Sequence, residues 1–397
     1  MTVAEESGLF IYIIAGEPSG DALGGALIAA LRERVGEGLR VAGIGGERMR
    51  EQGVESRVPL ADLAIAGLAE VLPRARVVLR HVRDTVSTIR DARPDAVVTI
   101  DSSGFSWRIA QRLRQRGETL PLIHYVAPMV WAWRAHRANM VARWYDHLLA
   151  LLPFEPLYFE KVGLACTYVG HPVIDSGAGS GDAARFRAAH GIATGTLMLA
   201  VLPGSRSGEV RRLIPIFGET LRRLEAKVGP FRVAVPTVET VADYVAAGVR
   251  DWPGRPIVLR GNPAKYDAFA ASRAALAASG TVSLELALAG LPMTVAYRLS
   301  RSTEMFLDRV LKVRQVNLVN LILGRPLVAE HLGPNCTPER LAATLVTLIE
   351  DERVRAAHRE GYDEAMRRLG AGDLSPSLKA ADTILAIIAA RRRRQAH

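Results

Sequence analysis

Residues 9–21 read LFIYIIAGEPSGD: seven consecutive apolar residues, followed by a turn with glycines at positions 16 and 20. An uninterrupted apolar run of this length, rich in branched residues, is typical of a strand that is buried on both faces. After this turn Leu23, Leu27 and Leu31 recur at every fourth position, which predicts a helix. A buried strand that leads through a tight turn into a helix is the repeating unit of a parallel α/β sheet.

The same alternation continues along most of the chain. Apolar runs alternate with amphipathic stretches, and the Ser/Gly-rich segment 176–181 marks a boundary between two series of strands. After residue 298 the sequence predicts two or three helices and no strand. The predicted strands are 9–15, 40–44, 96–100, 122–126 and 147–152 in the first series, and 197–202, 231–236, 256–259, 274–279 and 293–298 in the second.

These patterns predict an α/β protein of two doubly wound, Rossmann-like domains that face each other across a cleft. The first domain is expected over residues 1–175 and the second over residues 176–370. Residues 371–397 are expected to form a C-terminal helix that can pack back on the N-terminal domain and that ends in a basic tail at 391–394. A solvated helix cap is the simplest interpretation of that tail.

Composition and charge restrict the class of protein. The 397 residues are 49% apolar and 23% charged, the balance of a folded globular protein. Cys166 and Cys336 are too few and too far apart for a disulfide framework, so we expect a reducing, cytoplasmic location. No run of 18 apolar residues predicts a membrane span. The net charge of +10 attracts polyanions, which include nucleic acids, anionic lipids and phosphorylated small molecules.

Ligands of open α/β sheets bind at the carboxyl ends of the strands, so the loops there are the first candidates for a site. In GEPSGD (16–21) the glycines allow close backbone approach and the helix amides can hold an anion, but an ordinary strand–helix turn explains this loop equally well. LPGSRSGE (202–209) occupies the same place in the second half. Arg206 offers a planar guanidinium suited to a diphosphate, and the alternative is a capped helix with a surface arginine.

Two further strand ends carry polar residues. Ser279, Gly280 and Thr281 can take phosphate oxygens, and Glu285 lies one turn further on, where a carboxylate can accept two ribose hydroxyls. Taken singly, a favourable interaction with the helix dipole is the simpler explanation of Glu285. Asp101 directly follows the strand 96–100 and suits either a general base or a helix N-cap, and the spacing leaves both open.

One basic stretch is also strongly apolar. Residues 60–83 combine a long apolar series with Arg74, Arg76, Arg80 and Arg83, a combination that can lie in a lipid interface. Core packing with solvated arginines is the commoner role of such a stretch. The nine histidines show no HExxH-like spacing and no DxD-type pair stands out, so no metal is expected.

Taken together, the motifs resemble those of the lipid-A-disaccharide synthase family, inverting glycosyltransferases with the two-domain GT-B fold. The resemblance implies transfer of 2,3-diacylglucosamine from its UDP derivative to the 6-hydroxyl of 2,3-diacylglucosamine 1-phosphate (lipid X). The products would be a β-1,6-linked lipid A disaccharide 1-phosphate and UDP. From residue 11 to about residue 332, in order, the matching stretches are IYIIAGEPSGD, VAGIGGERM, LADLAIAGLAEVLP, VVTIDSSGF, IHYVAPMVWAWR, YVGHPVID, LPGSRSGEV, SGTVSLELALAGLPMTVAYR and VNLVNLILGRPLVAEHL.

The resemblance also implies roles for single residues, with no cofactor. Asp101 would be the general base, Glu285 would hold the ribose, and Asn320 would lie beside the donor site. Because both substrates carry acyl chains, the protein would associate peripherally with the anionic cytoplasmic face of the inner membrane. The remaining residues are Ser205, Arg206, Gly280 and Thr281 for the diphosphate, Gly16, Glu17, Ser19, Gly20 and Asp21 for the acceptor-side loop, and Arg76, Arg80 and Arg83 for membrane contact.

Two other classes of function fit parts of the sequence. A UDP-sugar 2-epimerase would share the fold and the uridine-binding logic, but it has no use for an apolar, arginine-rich surface. A nucleic-acid-binding protein would use the positive charge and show salt-sensitive retention on DNA or RNA, but it has no use for two paired glycine loops. We therefore expect no nucleic acid partner.

Overall fold

The computed structural model describes residues 8–63, 71–131, 136–298 and 315–395. The chain divides into two compact units. The N-terminal unit comprises the residues up to Pro172 together with those from Asp373 onward, and the C-terminal unit comprises Val173–Gly372.

The N-terminal unit is built on a six-stranded parallel sheet in the order β2-β1-β3-β4-β5-β6. Its strands are β1 (Leu9–Ala15), β2 (Leu39–Ile44), β3 (Ala96–Ile100), β4 (Leu122–Tyr125), β5 (His147–Ala150) and β6 (Ala165–Tyr168). Its helices are α1 (Pro18–Val35), α2 (Glu47–Glu51), α3 (Leu60–Leu63), α4 (Val71–Ala92), α5 (Ser103–Gln115), α6 (His136–Ala142), α7 (Pro156–Glu160) and the C-terminal helix (Pro376–Gln395).

Helices cover both faces of this sheet. Alternate residues of β1 point to opposite faces, so Ile11 packs in one core with α1 and the C-terminal helix, whereas Ile14 packs in the other with α4 and α5. The C-terminal helix also has polar contacts in this unit: Arg34 pairs with Asp382 at 2.7 Å and Arg392 with Asp95 at 2.7 Å. Arg392 of the basic tail is therefore paired with a carboxylate of the same unit, that of Asp95.

The C-terminal unit repeats the plan with the parallel order β12-β11-β10-β7-β8-β9. Its strands are β7 (Met198–Leu202), β8 (Arg232–Thr237), β9 (Ile257–Arg260), β10 (Ala274–Ala278), β11 (Met293–Tyr297) and β12 (Ala329–Leu332). Its helices are α8 (Ala183–Ala189), α9 (Ser207–Val228), α10 (Ala242–Gly248), α11 (Asn262–Ala271), α12 (Val282–Leu288), α13 (Leu318–Leu323), α14 (Pro338–Glu350) and α15 (Glu352–Arg368).

Both sheets end in a strand that the sequence did not predict. β6 (ACTY) and β12 (AEHL) are four-residue edge strands, each paired with a single neighbour and partly exposed. The expectation of no strand after residue 298 is therefore wrong. The reason is that an edge strand of this length needs no continuous apolar run, and Glu330 and His331 lie within β12.

Candidate active site

The strand order defines one crevice in each unit. In the N-terminal unit the chain reverses its direction of travel across the sheet between β1 and β3, and in the C-terminal unit it does so between β7 and β10. The carboxyl ends of the strands at such a switch point leave a gap in which ligands bind. The four predicted loops lie at these two gaps: residues 16–21 beside Asp101, and residues 203–206 beside residues 279–281.

Asp101 lies in an unusual backbone conformation directly after β3. Its φ is 47° and that of Ser102 is 46°, so two successive non-glycine residues adopt the left-handed region. The Asp101 amide donates to the Tyr125 carbonyl at 2.9 Å, which fixes this turn to the end of β4. Backbone conformations of this kind are costly, and they cluster where a side chain must be aimed at a functional site.

The surroundings of Asp101 make its carboxyl a weaker acid than that of an exposed aspartate. Burial raises the pKa of the Asp101 carboxyl, and the Ser102 amide opposes this by a hydrogen bond. Asp101 does not cap the next helix, because Ser102 occupies the N-cap position of α5 and no side chain caps that helix. The sequence left a general base and a helix N-cap open for Asp101, and the structure shows that it is not the N-cap.

The loop 16–21 packs closely against this turn. A Cβ on Gly16 would collide with the Ser102 hydroxyl, so the close approach of the two loops requires glycine there. Glu17 and Ser19 are exposed at the start of α1, whereas Asp21 is buried. The Asp21 carboxylate accepts hydrogen bonds from the amides of three residues: Gly46 at 2.6 Å, Arg48 at 2.9 Å and Met49 at 3.1 Å. Asp21 therefore anchors the start of α2, and the exposed polar groups of the loop are Glu17 and Ser19.

The loop after β7 is held by a residue that the sequence analysis did not single out. Gly204 has a φ of 115°, and a Cβ there would collide with the Glu209 carboxylate. Glu209 accepts a hydrogen bond from the Ser205 amide at 3.3 Å. Burial raises the pKa of Glu209, and the positive charges of Arg206 and Arg212 oppose this. An acid in the first turn after a glycine loop is the signal that could have identified it.

Arg206 is exposed at the N-cap position of α9, where no side chain caps the helix. Its guanidinium forms no ion pair with any residue in the described ranges. Arg206 is thus available to an anion. Gly280 and Thr281 are also exposed, and they follow β10, the strand next to β7 in the sheet. They precede α12, which likewise has no side-chain hydrogen bond at its N-cap.

Glu285 lies one turn into α12 and is paired. Its oxygens lie 3.0 Å and 2.9 Å from the Lys265 ammonium of α11, and the Tyr266 hydroxyl lies 3.4 Å from the first of them. Lys265 and Tyr266 precede Glu285 by about 20 residues, and the sequence around them did not predict that they contact Glu285.

Asn320 is 1% exposed in α13, and its side-chain amide is fully used. The nitrogen donates to the Val328 carbonyl at 2.8 Å and to Glu330 at 2.7 Å, and the oxygen accepts from the amides of Leu327 and Val328 at 2.9 Å. No donor or acceptor site of this amide is left for a ligand. The geometry supports a role in ordering residues 317–330, and direct contact of the Asn320 side chain with a nucleotide is not supported.

The basic stretch lies on α4. Arg76, Arg80 and Arg83 are exposed and, at i, i+4 and i+7, share one side of the helix with Leu79, which is 43% exposed. The opposite side packs in the core through Val78, Val82, Val86 and Ile89. The part of the stretch at residues 64–70 lies outside the described residues.

Two negative findings apply to residues 8–63, 71–131, 136–298 and 315–395. Within them, no group of three or more His, Cys, Asp or Glu side chains is placed to hold a metal ion. No helix there is both long enough and apolar enough to cross a membrane.

The fold and the paired glycine loops define a GT-B-type protein. The structure is similar to a UDP-GlcNAc 2-epimerase from Neisseria meningitidis bound to UDP-GlcNAc, with a TM-score of 0.63 and 11% identity over 96% of this chain and 100% of the other. It is also similar to the calicheamicin glycosyltransferase CalG4, with a TM-score of 0.57 and 15% identity over 96% and 98% of the two chains. The predicted fold class is confirmed.

Sequence comparison identifies the particular family. Residues 11–375 match the lipid-A-disaccharide synthetase family. The chain is 53% identical to a lipid-A-disaccharide synthase of Rhodospirillum centenum over 96% of each chain, and 50% identical to one of Paramagnetospirillum magneticum over 96% and 98%. The chain belongs to the lipid-A-disaccharide synthase family and is a glycosyltransferase that forms lipid A disaccharide. This decides against the epimerase and the nucleic-acid-binding alternatives.

Proposed function

We propose that the C-terminal unit binds UDP-2,3-diacylglucosamine and that Asp101 activates the 6-hydroxyl of lipid X. The observation that carries this proposal is the placement of all four loops at the switch points of their sheets. The structural relatives support a nucleotide sugar as donor, since the Neisseria protein is bound to UDP-GlcNAc and a Staphylococcus aureus relative to UDP.

On the donor side, the loops after β7 and β10 supply positive charge and backbone amides. Arg206 can donate two charge-assisted hydrogen bonds to the diphosphate, and Ser205, Gly280 and Thr281 lie at the same switch point. Negative charge builds up on the diphosphate as the bond from the anomeric carbon to its oxygen breaks. Groups oriented before the reaction stabilise this charge without reorganisation.

On the acceptor side, Asp101 takes the proton of the 6-hydroxyl while that oxygen attacks the anomeric carbon. Its burial and the resulting raised pKa make the carboxylate a better proton acceptor than an exposed aspartate. Attack opposite to the departing UDP inverts the anomeric centre and gives the β-1,6 linkage. The exposed polar groups of Glu17 and Ser19 lie in the neighbouring loop, where they can orient the acceptor sugar.

We further infer peripheral association with the anionic cytoplasmic face of the inner membrane through α4. Three exposed arginines beside an exposed leucine combine charge attraction with a small apolar contact, which is the pattern of an interfacial helix. Such contact would keep the enzyme at the surface where its acylated substrates reside.

The test is incubation of the purified protein with UDP-2,3-diacylglucosamine and lipid X, followed by mass spectrometry of the lipid product. The expected product has the mass of the tetraacyl disaccharide 1-phosphate, and UDP appears in equal amount. Asp101→Asn is the matched control and should give little product. Release of UDP without disaccharide, or no reaction in the presence of vesicles, would reject the proposal.

A further inference from the structure

The pair formed by Lys265 and Glu285 differs from an ordinary surface ion pair. The ammonium is 2.9 Å and 3.0 Å from the two carboxylate oxygens, and the two side chains are only 17% and 20% exposed. Exposed ion pairs contribute little, because water and salt screen them, whereas this pair is largely shielded. Lys265 belongs to α11, which follows β9, and Glu285 belongs to α12, which follows β10; β7 and β8 lie between these two strands in the sheet.

Tyr266 fixes the geometry of the pair further. The Lys265 ammonium lies 4.8 Å from the centroid of the Tyr266 ring, a distance at which the cation is attracted to the ring face. The Tyr266 hydroxyl lies 3.4 Å from one Glu285 oxygen. The carboxylate is thus held from two directions, and its rotation is restricted.

This arrangement leaves the carboxylate able to accept further hydrogen bonds. A carboxylate has about four acceptor positions, and Lys265 and Tyr266 together occupy about three of them. Among the described residues, Lys265 alone hydrogen-bonds to the oxygen that Tyr266 does not contact, so one acceptor position remains there. A hydrogen bond from a ribose hydroxyl to this one position requires a carboxylate that is held in a fixed orientation.

We propose that Lys265, supported by Tyr266, is a positioning residue that orients Glu285 toward the ribose 2′-hydroxyl of the donor nucleotide. Lys265 thereby sets the preference of the enzyme for a ribonucleotide over a 2′-deoxyribonucleotide. This inference rests on the proposed function and on the ribose contact of Glu285 that the family resemblance implies.

The test measures binding of UDP and of 2′-deoxy-UDP by calorimetry to the full-length protein and to Lys265→Met. The unmodified protein should prefer UDP by about tenfold, the effect of losing one hydrogen bond to a charged group. In Lys265→Met this preference should fall to about twofold or less, and Lys265→Arg should restore most of it. Equal weakening for both nucleotides, with the preference intact, would show a purely structural role and overturn the inference.

Three controls separate the possible failures. Lys379→Met removes a lysine from an exposed pair with Asp373 in the N-terminal unit and should leave the preference unchanged. If Lys265→Met does not fold, Tyr266→Phe removes only the hydroxyl and should still reduce the preference. If Glu285→Gln abolishes the preference and Lys265→Met keeps it, this inference fails and the proposed ribose contact stands. If the unmodified protein does not bind UDP, the proposed function fails.

Discussion

Glu155 offers a quantitative test of the structure. It lies between β5 and α7, is 3% exposed, and accepts hydrogen bonds from the amides of Leu151 at 3.1 Å and Leu152 at 3.0 Å. Trp131 donates to its other oxygen at 3.4 Å. In the described part of the chain no cation forms an ion pair with this carboxylate. Burial raises the pKa of Glu155 from 4.5 to about 7, since these hydrogen bonds only partly offset the loss of hydration.

When the pKa of an acid is higher in the folded state than in the unfolded state, ionisation of that acid lowers the free energy of unfolding. Between about pH 4.5 and pH 7 the folded state holds a proton that the unfolded state has released, so the free energy of unfolding falls as pH rises through this window. Each tenfold change in the ionisation constant corresponds to about 1.4 kcal/mol, which gives a loss of about 3 kcal/mol above pH 7. Glu155→Gln keeps an oxygen for the two backbone amides and cannot ionise, so this loss should disappear.

The measurement is urea unfolding of both proteins from pH 5 to pH 8.5, followed by tryptophan fluorescence. Four of the five tryptophans (107, 131, 133 and 144) belong to the N-terminal unit, so the signal reports mainly on that unit. The difference between the two proteins should grow by about 2 to 3 kcal/mol in favour of Glu155→Gln as pH rises. Parallel pH profiles would refute the reasoning.

The comparison with the variant is necessary because other groups act in the opposite direction. Burial lowers the pKa of His124 to about 3 and that of His171 to about 4, from 6.5 in each case. In the window below pH 6.5 the unfolded state therefore binds more protons at these positions, and the free energy of unfolding rises with pH there. This contribution is common to both proteins and cancels in the difference.

The remaining predictions concern the proposed site. Asp101→Asn should lower kcat by about 10²- to 10⁴-fold, because an amide cannot accept the proton. The UDP affinity measured by calorimetry should stay unchanged. Near-normal turnover would exclude Asp101 as the base. Arg206→Ala should weaken UDP affinity by about tenfold, through loss of charge-assisted hydrogen bonds, and an unaltered affinity would remove this residue from the donor site. Replacement of Arg76, Arg80 and Arg83 together by Glu should abolish most sedimentation with anionic vesicles at low salt, and undiminished sedimentation would place the membrane contact elsewhere.

Much of the fold was readable from the sequence because the central strands are buried on both faces. The prediction for 96–100 matches β3, and the prediction for 147–152 extends two residues beyond β5. The edge strands β6 and β12 were missed, since these two half-exposed strands lack the apolar run that identifies the others. The positions of the loops were predictable for a related reason: glycines and polar residues follow the strands directly in the chain.

The sequence by itself thus determined the parallel α/β plan and the location of the candidate loops, because burial periodicity and turn chemistry are local properties. The tertiary structure alone decided what each polar side chain does. Asp21 anchors the Gly46 loop and Asn320 orders its own segment, while Glu285 is held by a lysine from another helix. Hydrogen bonding, desolvation and charge pairing depend on partners that distant segments bring into contact, and a pattern along the chain does not contain that information.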